Sequence, residues 1–257
     1  MKKIKEYVEF AQKELASEIS RMDRVPQLAI VQVGNNEASN RYIRNKISDC
    51  KKVGAVAHHY WYEEKIGVVE LEAEVRDLAE TYDGVVVQLP LPEHFRGREW
   101  RIFSAIPSGK DVDGLRKNTA FCPATPLGIM DYLKWRDFGL RGKNVLVIGR
   151  SKLVGEPMAK MMVEADATVT IAHSKTPKEK IEELAKDADL VVCAVGHPGF
   201  LEGAELKAAI DVGINFVDGK LVGDINGGEN VSPVPGGVGL LTRCALIKNL
   251  VSAAKKS

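Results

Sequence analysis

The sequence predicts an α/β protein of two domains, the second a Rossmann-like dinucleotide-binding domain, with a cleft between them. Three observations carry that expectation. Short β-branched runs alternate with segments of helical periodicity along the chain, the pattern of parallel sheets built from strand and helix units. At 257 residues the chain exceeds the usual size of one domain and has ample length to bury a core. Residues 148–155 turn an apolar strand into a helix across a Gly-bounded turn, the local form that offers free N–H groups and a positive dipole end to a phosphate. Residues 107–126 are rich in Pro, Gly, Asp and Asn and form the crossing, so 1–120 with 240–257 are expected to make the first domain and 121–239 the second.

Ile4, Val8, Ala11, Leu15 and Ile19 recur at helical spacing, giving an amphipathic first helix that Pro26 stops. Residues 28–33 read as a strand, 34–37 as a turn, and 38–53 as a helix with Gly54 at its end. Two more units follow: strand 56–61 with a helix in 69–81, then strand 85–89 with a helix near 98–105. In the second half, 127–135 is apolar at helical spacing and 144–148 is a β-branched strand. Met158, Met161, Met162 and Ala165 mark the helix that starts near Pro157. Residues 167–172 and 190–195 are further strands with a helical segment, 181–185, between them, and 210–212 and 220–222 are short strands. Residues 223–228 break the pattern. The loop 231–239 combines stiff prolines with permissive glycines, so its backbone can approach a ligand closely, and a last helix over 240–253 can pack back on the first domain.

Net charge is +1, from 36 basic and 35 acidic residues interspersed, which gives no field to draw nucleic acid or an anionic membrane. The local cluster Arg96, Arg98 and Arg101 is interrupted by Glu99 and Trp100 and reads as a solvated helix face. Cys50, Cys122, Cys193 and Cys244 lie far apart, which argues against a zinc site or a disulfide framework and fits a reducing cytosol. The first residues carry Lys and Glu where a signal peptide needs its apolar core, and no run approaches a membrane span, so a cytoplasmic protein is expected.

Gly149 and Gly155 stand six apart, which is not the G-x-G-x-x-G fingerprint; taken alone, a tight strand-to-helix turn is the plainer reading. The strand that follows ends in His173-Ser174-Lys175-Thr176, where an NAD fold usually presents a carboxylate to the ribose 2′-hydroxyl. Here Arg150, Ser174 and Lys175 can instead surround a 2′-phosphate, which favours NADP. Against this, Arg150 can be a solvated turn residue and His173 a strand cap.

Tyr42 and Lys46 are four apart and project from one helix face, where a phenol and an ammonium can shift each other's pKa for proton transfer. A surface tyrosine packed on a lysine stem is the plainer alternative. Gln88 ends a strand at the carboxyl edge of a parallel sheet, where open α/β folds bind ligands. Asp111 and Asp113 beside Gly114 either make an Asx turn or offer a bidentate acceptor to a ligand; with no histidine nearby and no further ligands, no metal site is expected.

Taken together, Ser39-Asn-Arg-Tyr-Ile-Arg-Asn-Lys46, Gln88-Leu-Pro-Leu-Pro92, Lys110-Asp-Val-Asp-Gly114, Gly149-Arg-Ser-Lys-Leu-Val-Gly155, His173-Ser-Lys-Thr176 and Pro233-Val-Pro-Gly-Gly-Val-Gly239 resemble, in order, the signatures of the bifunctional methylenetetrahydrofolate dehydrogenase/cyclohydrolase family. The resemblance runs from about Pro26 to near Leu250. It implies oxidation of 5,10-methylenetetrahydrofolate with NADP and hydrolysis of the methenyl product to 10-formyltetrahydrofolate, within one-carbon metabolism that serves purine, methionine and histidine biosynthesis. It also implies roles. Tyr42 stacks on the folate, Lys46 is the acid/base group, Gln88 holds Lys46, and Asp113 accepts from the pterin. The loop with Pro235, Gly236 and Gly239 closes on the ligand. Gly149, Arg150, Ser151, Gly155, His173 and Ser174 hold the cofactor, and a homodimer forms through strands near Asn215 to Val222.

The chain departs from the family's usual pattern at Ala124, where a cysteine is common, at Leu240-Leu241, where Pro-Met is common, and at Ser48, where a second lysine is common. The 114–123 connection is shorter than usual, so the path between domains is expected to differ. Two rival readings are an NADP-dependent dehydrogenase of another small substrate, of the shikimate type, and a non-catalytic NADPH-binding protein. The first needs a different acid/base set, and intact Tyr42, Lys46, Gln88 and Asp113 speak against the second.

Overall fold

A computed structural model of the chain describes residues 3–256. They form two compact units, one of residues 10–124 with the chain from Arg243, the other of the chain up to Glu9 with residues 125–242. Among the described residues no helix is long and apolar enough to cross a membrane.

The unit that begins at Phe10 carries a three-stranded parallel sheet in the order β2-β1-β3, with β1 Gln27–Val33, β2 Val56–Tyr62 and β3 Gly84–Val87. The central strand is apolar almost throughout because both its faces are covered. Ala29, Val31 and Val33 join Val85 and Val87 on one face, packed with Leu71 and Val75 of α3 (Val68–Thr81) and Ile102 of α4 (Glu99–Ala105). By strand alternation Leu28, Ile30 and Gln32 lie on the other face, which α2 (Glu37–Val53) covers. The caps fix where α2 begins and ends. Asn36 accepts the Ser39 N–H at 3.0 Å, and Gly54 closes the helix in the left-handed region at φ 89°.

The other unit carries a four-stranded parallel sheet in the order β5-β4-β6-β8, with β4 Asn144–Ile148, β5 Thr168–Ala172, β6 Leu190–Cys193 and β8 Ala209–Asp211. The helices α6 (Gly155–Glu164) and α7 (Lys178–Asp187) link its strands, and Leu146, Ile148, Ile181, Ala185 and Val191 form the core between sheet and α7. An antiparallel hairpin, β9 Asn215–Val217 with β10 Lys220–Val222, follows. Three helices straddle the division: α1 (Ile4–Ile19), α5 (Ala124–Trp135) and α8 (Val238–Ala254).

Several details differ from expectation. The chain up to Glu9 groups with the second unit because Tyr7 sets its ring against Tyr132 and Trp135 of α5, at centroid distances of 5.8 and 5.7 Å. The strand expected over 85–89 stops at Val87, and a cis peptide joins Leu89 to Pro90. The stretch 223–228, read as a break, holds the two-residue strand β11, Ile225–Asn226. It pairs in parallel with an unforeseen β7, Leu201–Glu202.

Candidate functional site

The sheet order of the first unit sends the chain from β1 to β2 on one side and to β3 on the other, so a topological switch point lies between the carboxyl ends of β1 and β3. Gln88 is the first residue past β3, and its N–H still bonds Val31 O at 2.8 Å. Lys46 comes from α2. Its place in the inward stripe Ser39, Ile43, Lys46, Cys50 and Val53 explains why a lysine is 7% exposed: its helical position turns it toward the sheet, as it turns Ile43. Lys46 Nζ donates to Gln88 Oε1 at 3.1 Å and lies 3.8 Å from Asp113 Oδ2. Gln88 Nε2 donates to Leu89 O at 2.8 Å, which leaves its oxygen to face the lysine.

Burial drives the Lys46 pKa below the ordinary lysine value, and the Arg243 guanidinium adds to that; Asp113 and Cys50 pull the other way. Arg243, on α8, is itself pinned to Asp49 of α2 by a 2.5 Å ion pair. Tyr42 stands one turn before Lys46, half-buried, and burial raises its phenol pKa against the opposing pull of Arg243 and Arg41. The two aspartates of the Asp-Val-Asp stretch divide the alternatives read from the sequence. Asp111 is fully buried and accepts the backbone N–H groups of Gly114, Leu115 and Arg116 at 3.2, 3.1 and 2.9 Å, so it builds the turn. Asp113, partly exposed, is left facing Lys46.

In the other unit the switch point lies between β4 and β6, since β5 and β6 flank β4 on opposite sides. Gly149 (φ 118°) and Gly155 permit a close approach: a Cβ on Gly149 would meet Ala194 O at 2.3 Å, and one on Gly155 would meet Gly149 O at 2.2 Å. Ser151 Oγ accepts the N–H groups of Val154 and Gly155 at 3.2 and 3.4 Å, which organises the start of α6. The register Ile148↔Ala172 sets the turn after β4 beside the end of β5, so exposed Arg150 and exposed Ser174 lie on neighbouring strand ends. His173 Nδ1 accepts the Lys175 N–H at 3.2 Å, and its own N–H donates to Thr176 Oγ1 at 3.1 Å. This cradle fits a dinucleotide phosphate: glycines where a Cβ would intrude, a helix N-terminus, an exposed guanidinium and no carboxylate within the 173–176 stretch.

The loop residues Pro235 and Gly236 line a depression of about 780 Å³ together with Ile4, Glu6, Ile225 and Ser232. Lys46, Gln88, Asp113 and Arg150 are not among its walls. A Cβ on Gly237 would meet Pro233 O at 2.2 Å, whereas Gly239 has open space around it at the start of α8. Two buried carboxylates escaped sequence reasoning. Asp224 accepts the N–H groups of Val195, Gly196 and His197 between 2.8 and 2.9 Å, and Asp211 accepts those of Gly213, Asp224 and Ile225 between 2.9 and 3.0 Å. Asp224 thereby fixes the loop after β6, and Asp211 the loop after β8. Lone aspartates give no periodic signal, though the Asp-x-Gly and Gly-Asp settings, with their crowded glycines Gly213 and Gly223, mark the turns they serve.

The family model described as tetrahydrofolate dehydrogenase/cyclohydrolase, catalytic domain, matches residues 2–113, and that of the NAD(P)-binding domain matches residues 123–257. The chain is 40% identical over 274 residues to the bifunctional protein FolD of Campylobacter fetus, covering 98% of this chain and 94% of that one. Among solved structures it is similar to a 5,10-methylenetetrahydrofolate dehydrogenase from Bombyx mori, at 34% identity and a TM-score of 0.90 over 98% of this chain and 96% of that one. It is likewise similar to a Trypanosoma brucei methylenetetrahydrofolate dehydrogenase-cyclohydrolase complexed with NADP cofactor and inhibitor, at 32% identity and a TM-score of 0.89 over 97% and 95%.

Proposed function

The chain belongs to the tetrahydrofolate dehydrogenase/cyclohydrolase family, and from that premise we propose how its residues divide the two activities. It oxidises 5,10-methylenetetrahydrofolate with NADP and hydrolyses the methenyl product to 10-formyltetrahydrofolate. The observation that carries the assignment of roles is the buried Lys46 Nζ on Gln88 Oε1 at 3.1 Å, with Asp113 at 3.8 Å. A shikimate-type activity would need a different acid/base set.

In the hydrolytic step a water adds to the methenyl carbon, the C–O bond forms, and the π pair moves to the cationic nitrogen. The water must lose a proton as it adds, and Lys46, held low in pKa by burial, takes it at Nζ. The adduct then loses its hydroxyl proton to solvent as C=O forms and the C–N5 bond breaks, N5 taking the proton that Lys46 had accepted. Gln88 aims that nitrogen, because its amide is itself fixed on Leu89 O. The Asp113 carboxylate matches the paired donors at N3 and the 2-amino group of the pterin, and Tyr42 supplies a ring face one helical turn away. Oxidation needs no proton acceptor at carbon. NADP supplies the hydride acceptor, and the protein supplies position. Gly149, Gly155 and the N-terminus of α6 take the pyrophosphate, with Ser151 shaping that turn. Arg150 and Ser174 hold the 2′-phosphate beside His173. Pro235, Gly236 and Gly239 form the loop that meets the folate. Residues 10–124 with the end of α8 bind folate, and 125–242, apart from that loop, bind the cofactor.

The chain acts as a homodimer in the cytoplasm. Support for the dimer is the hairpin 215–222, where Phe216 and Val217 are 52 and 40% exposed, with Ile214 just before it 44% exposed. Support for the compartment is the free state of the four cysteines. There the product feeds purine, methionine and histidine biosynthesis. A spectrophotometric assay of methenyl formation, with NADP and NAD compared, followed by direct hydrolysis of the methenyl compound, tests the reading. Failure to turn over any folate would overturn it.

A further inference from the structure

Gln32 carries a side-chain oxygen that the assigned roles leave unused. It lies at the carboxyl end of β1, 2% exposed, and its Oε1 has no hydrogen-bond partner among the described residues. The amide's orientation follows from its neighbours. Asn40 Nδ2 donates to Asn35 Oδ1 at 2.8 Å, so Asn40 turns its oxygen to Gln32, and Gln32 answers with Nε2 at 2.7 Å. Oε1 is therefore the end left over. Register places that oxygen. Val31 pairs with Val87, so Gln32 and Gln88 are the next residues on adjacent strands, which run about 4.8 Å apart. Alternation puts both on the α2 face, opposite the cluster that holds Ala29, Val31, Val85 and Val87. That is the face on which Lys46 meets Gln88.

Lys46 is incomplete in the complementary sense. A charged ammonium has three N–H donors, and its contacts are one amide oxygen and one carboxylate oxygen. An acceptor without a donor and a donor with one hydrogen to spare lie on the same face, one strand apart. We propose that Gln32 is a positioning residue for Lys46, its Oε1 serving as the third acceptor beside Gln88 and Asp113 when the ammonium forms during turnover. The inference rests on Lys46 being the base. Its physical consequence is that Gln32 stabilises the charged lysine, limiting how far burial lowers the pKa and returning the side chain to one place after each proton transfer. The charged and titratable groups that act on Lys46 are Asp113, Cys50 on its own helix and Arg243 of α8, which is partnered by Asp49; half-buried Tyr42 stands one turn before it on the same helix.

The test is the pH profile of methenyl hydrolysis without NADP, in the parent, Gln32→Met and Gln32→Glu. Losing a neutral acceptor should move the inflection to lower pH by about half a unit. Adding a carboxylate at the same place should move it to higher pH by about one unit. Opposite shifts from one position are not what a merely structural glutamine gives. Coincident inflections in parent and both variants would overturn the inference. Should Gln32→Glu fail to fold by circular dichroism, the near-isosteric Gln32→Met decides alone: a lowered inflection supports the proposal and an unmoved one overturns it. Lys46→Met, run alongside, separates the two readings. If it hydrolyses at the parent rate the base assignment itself fails; if it is inactive while the Gln32 profiles coincide, only the role of Gln32 fails.

Discussion

Lys46 Nζ stands closer to the amide oxygen of Gln88, at 3.1 Å, than to the carboxylate of Asp113, at 3.8 Å. A neutral acceptor compensates a buried charge less than a carboxylate in contact does, so desolvation outweighs attraction and the lysine's pKa falls. A closer ion pair would work against that fall.

Asp113→Ala is expected to lose folate binding by at least about tenfold while NADP binding is kept, since the proposed contact is a charge-assisted pair with the pterin. Titration of each ligand by fluorescence or calorimetry checks this. Unimpaired folate binding would count against the pterin contact.

Arg150→Ala is expected to weaken NADP binding by about 1.5 to 3 kcal/mol, roughly ten- to a hundredfold, with little change for NAD. Arg150 is an exposed side chain on the turn after β4, so the fold should not suffer. Equal losses for both cofactors, measured as Kd, would refute a 2′-phosphate role.

Asp111→Ala is expected to destabilise the protein by about 3 kcal/mol, because three backbone N–H groups in the turn lose a fully buried acceptor. A urea unfolding midpoint close to that of the parent would contradict this account of the turn.

Lys46→Met is expected to raise thermal stability at neutral pH. The folded-state pKa lies below the unfolded value of 10.5, so the unfolded chain holds more protons in between and stability rises with pH through that window. Below it the buried ammonium is a constant cost that methionine removes. The gain in Tm, on the order of 2–4 °C per kcal/mol, should shrink as pH approaches 10.5. A lower Tm at pH 7 would show that the ion pair with Asp113 dominates instead.

Much of this was legible in the sequence because it is periodic or punctuated. The all-apolar run of β1, the inward stripe of α2 and the stop at Gly54 each follow from spacing or from one glycine. The family was legible through ordered motifs. What stayed hidden depends on distant partners. Gln32 looks like one polar residue in a strand until Asn40 and Gln88 are placed beside it. Asp111, Asp211 and Asp224 become acceptors only once loops bring N–H groups to them, and Asp113 differs from Asp111 by which way the turn faces. Tyr7 joins the second unit through rings of α5 more than a hundred residues away. Strands of two residues, such as β7 and β11, carry no period at all.

The central claim is that Lys46 is the base for water attack and is dispensable for hydride transfer. Direct hydrolysis of methenyltetrahydrofolate by Lys46→Met, followed without NADP, tests it most directly. The account predicts a fall of roughly a hundredfold or more, with part of the dehydrogenase activity retained in the same preparation. Hydrolysis at the parent rate would contradict it.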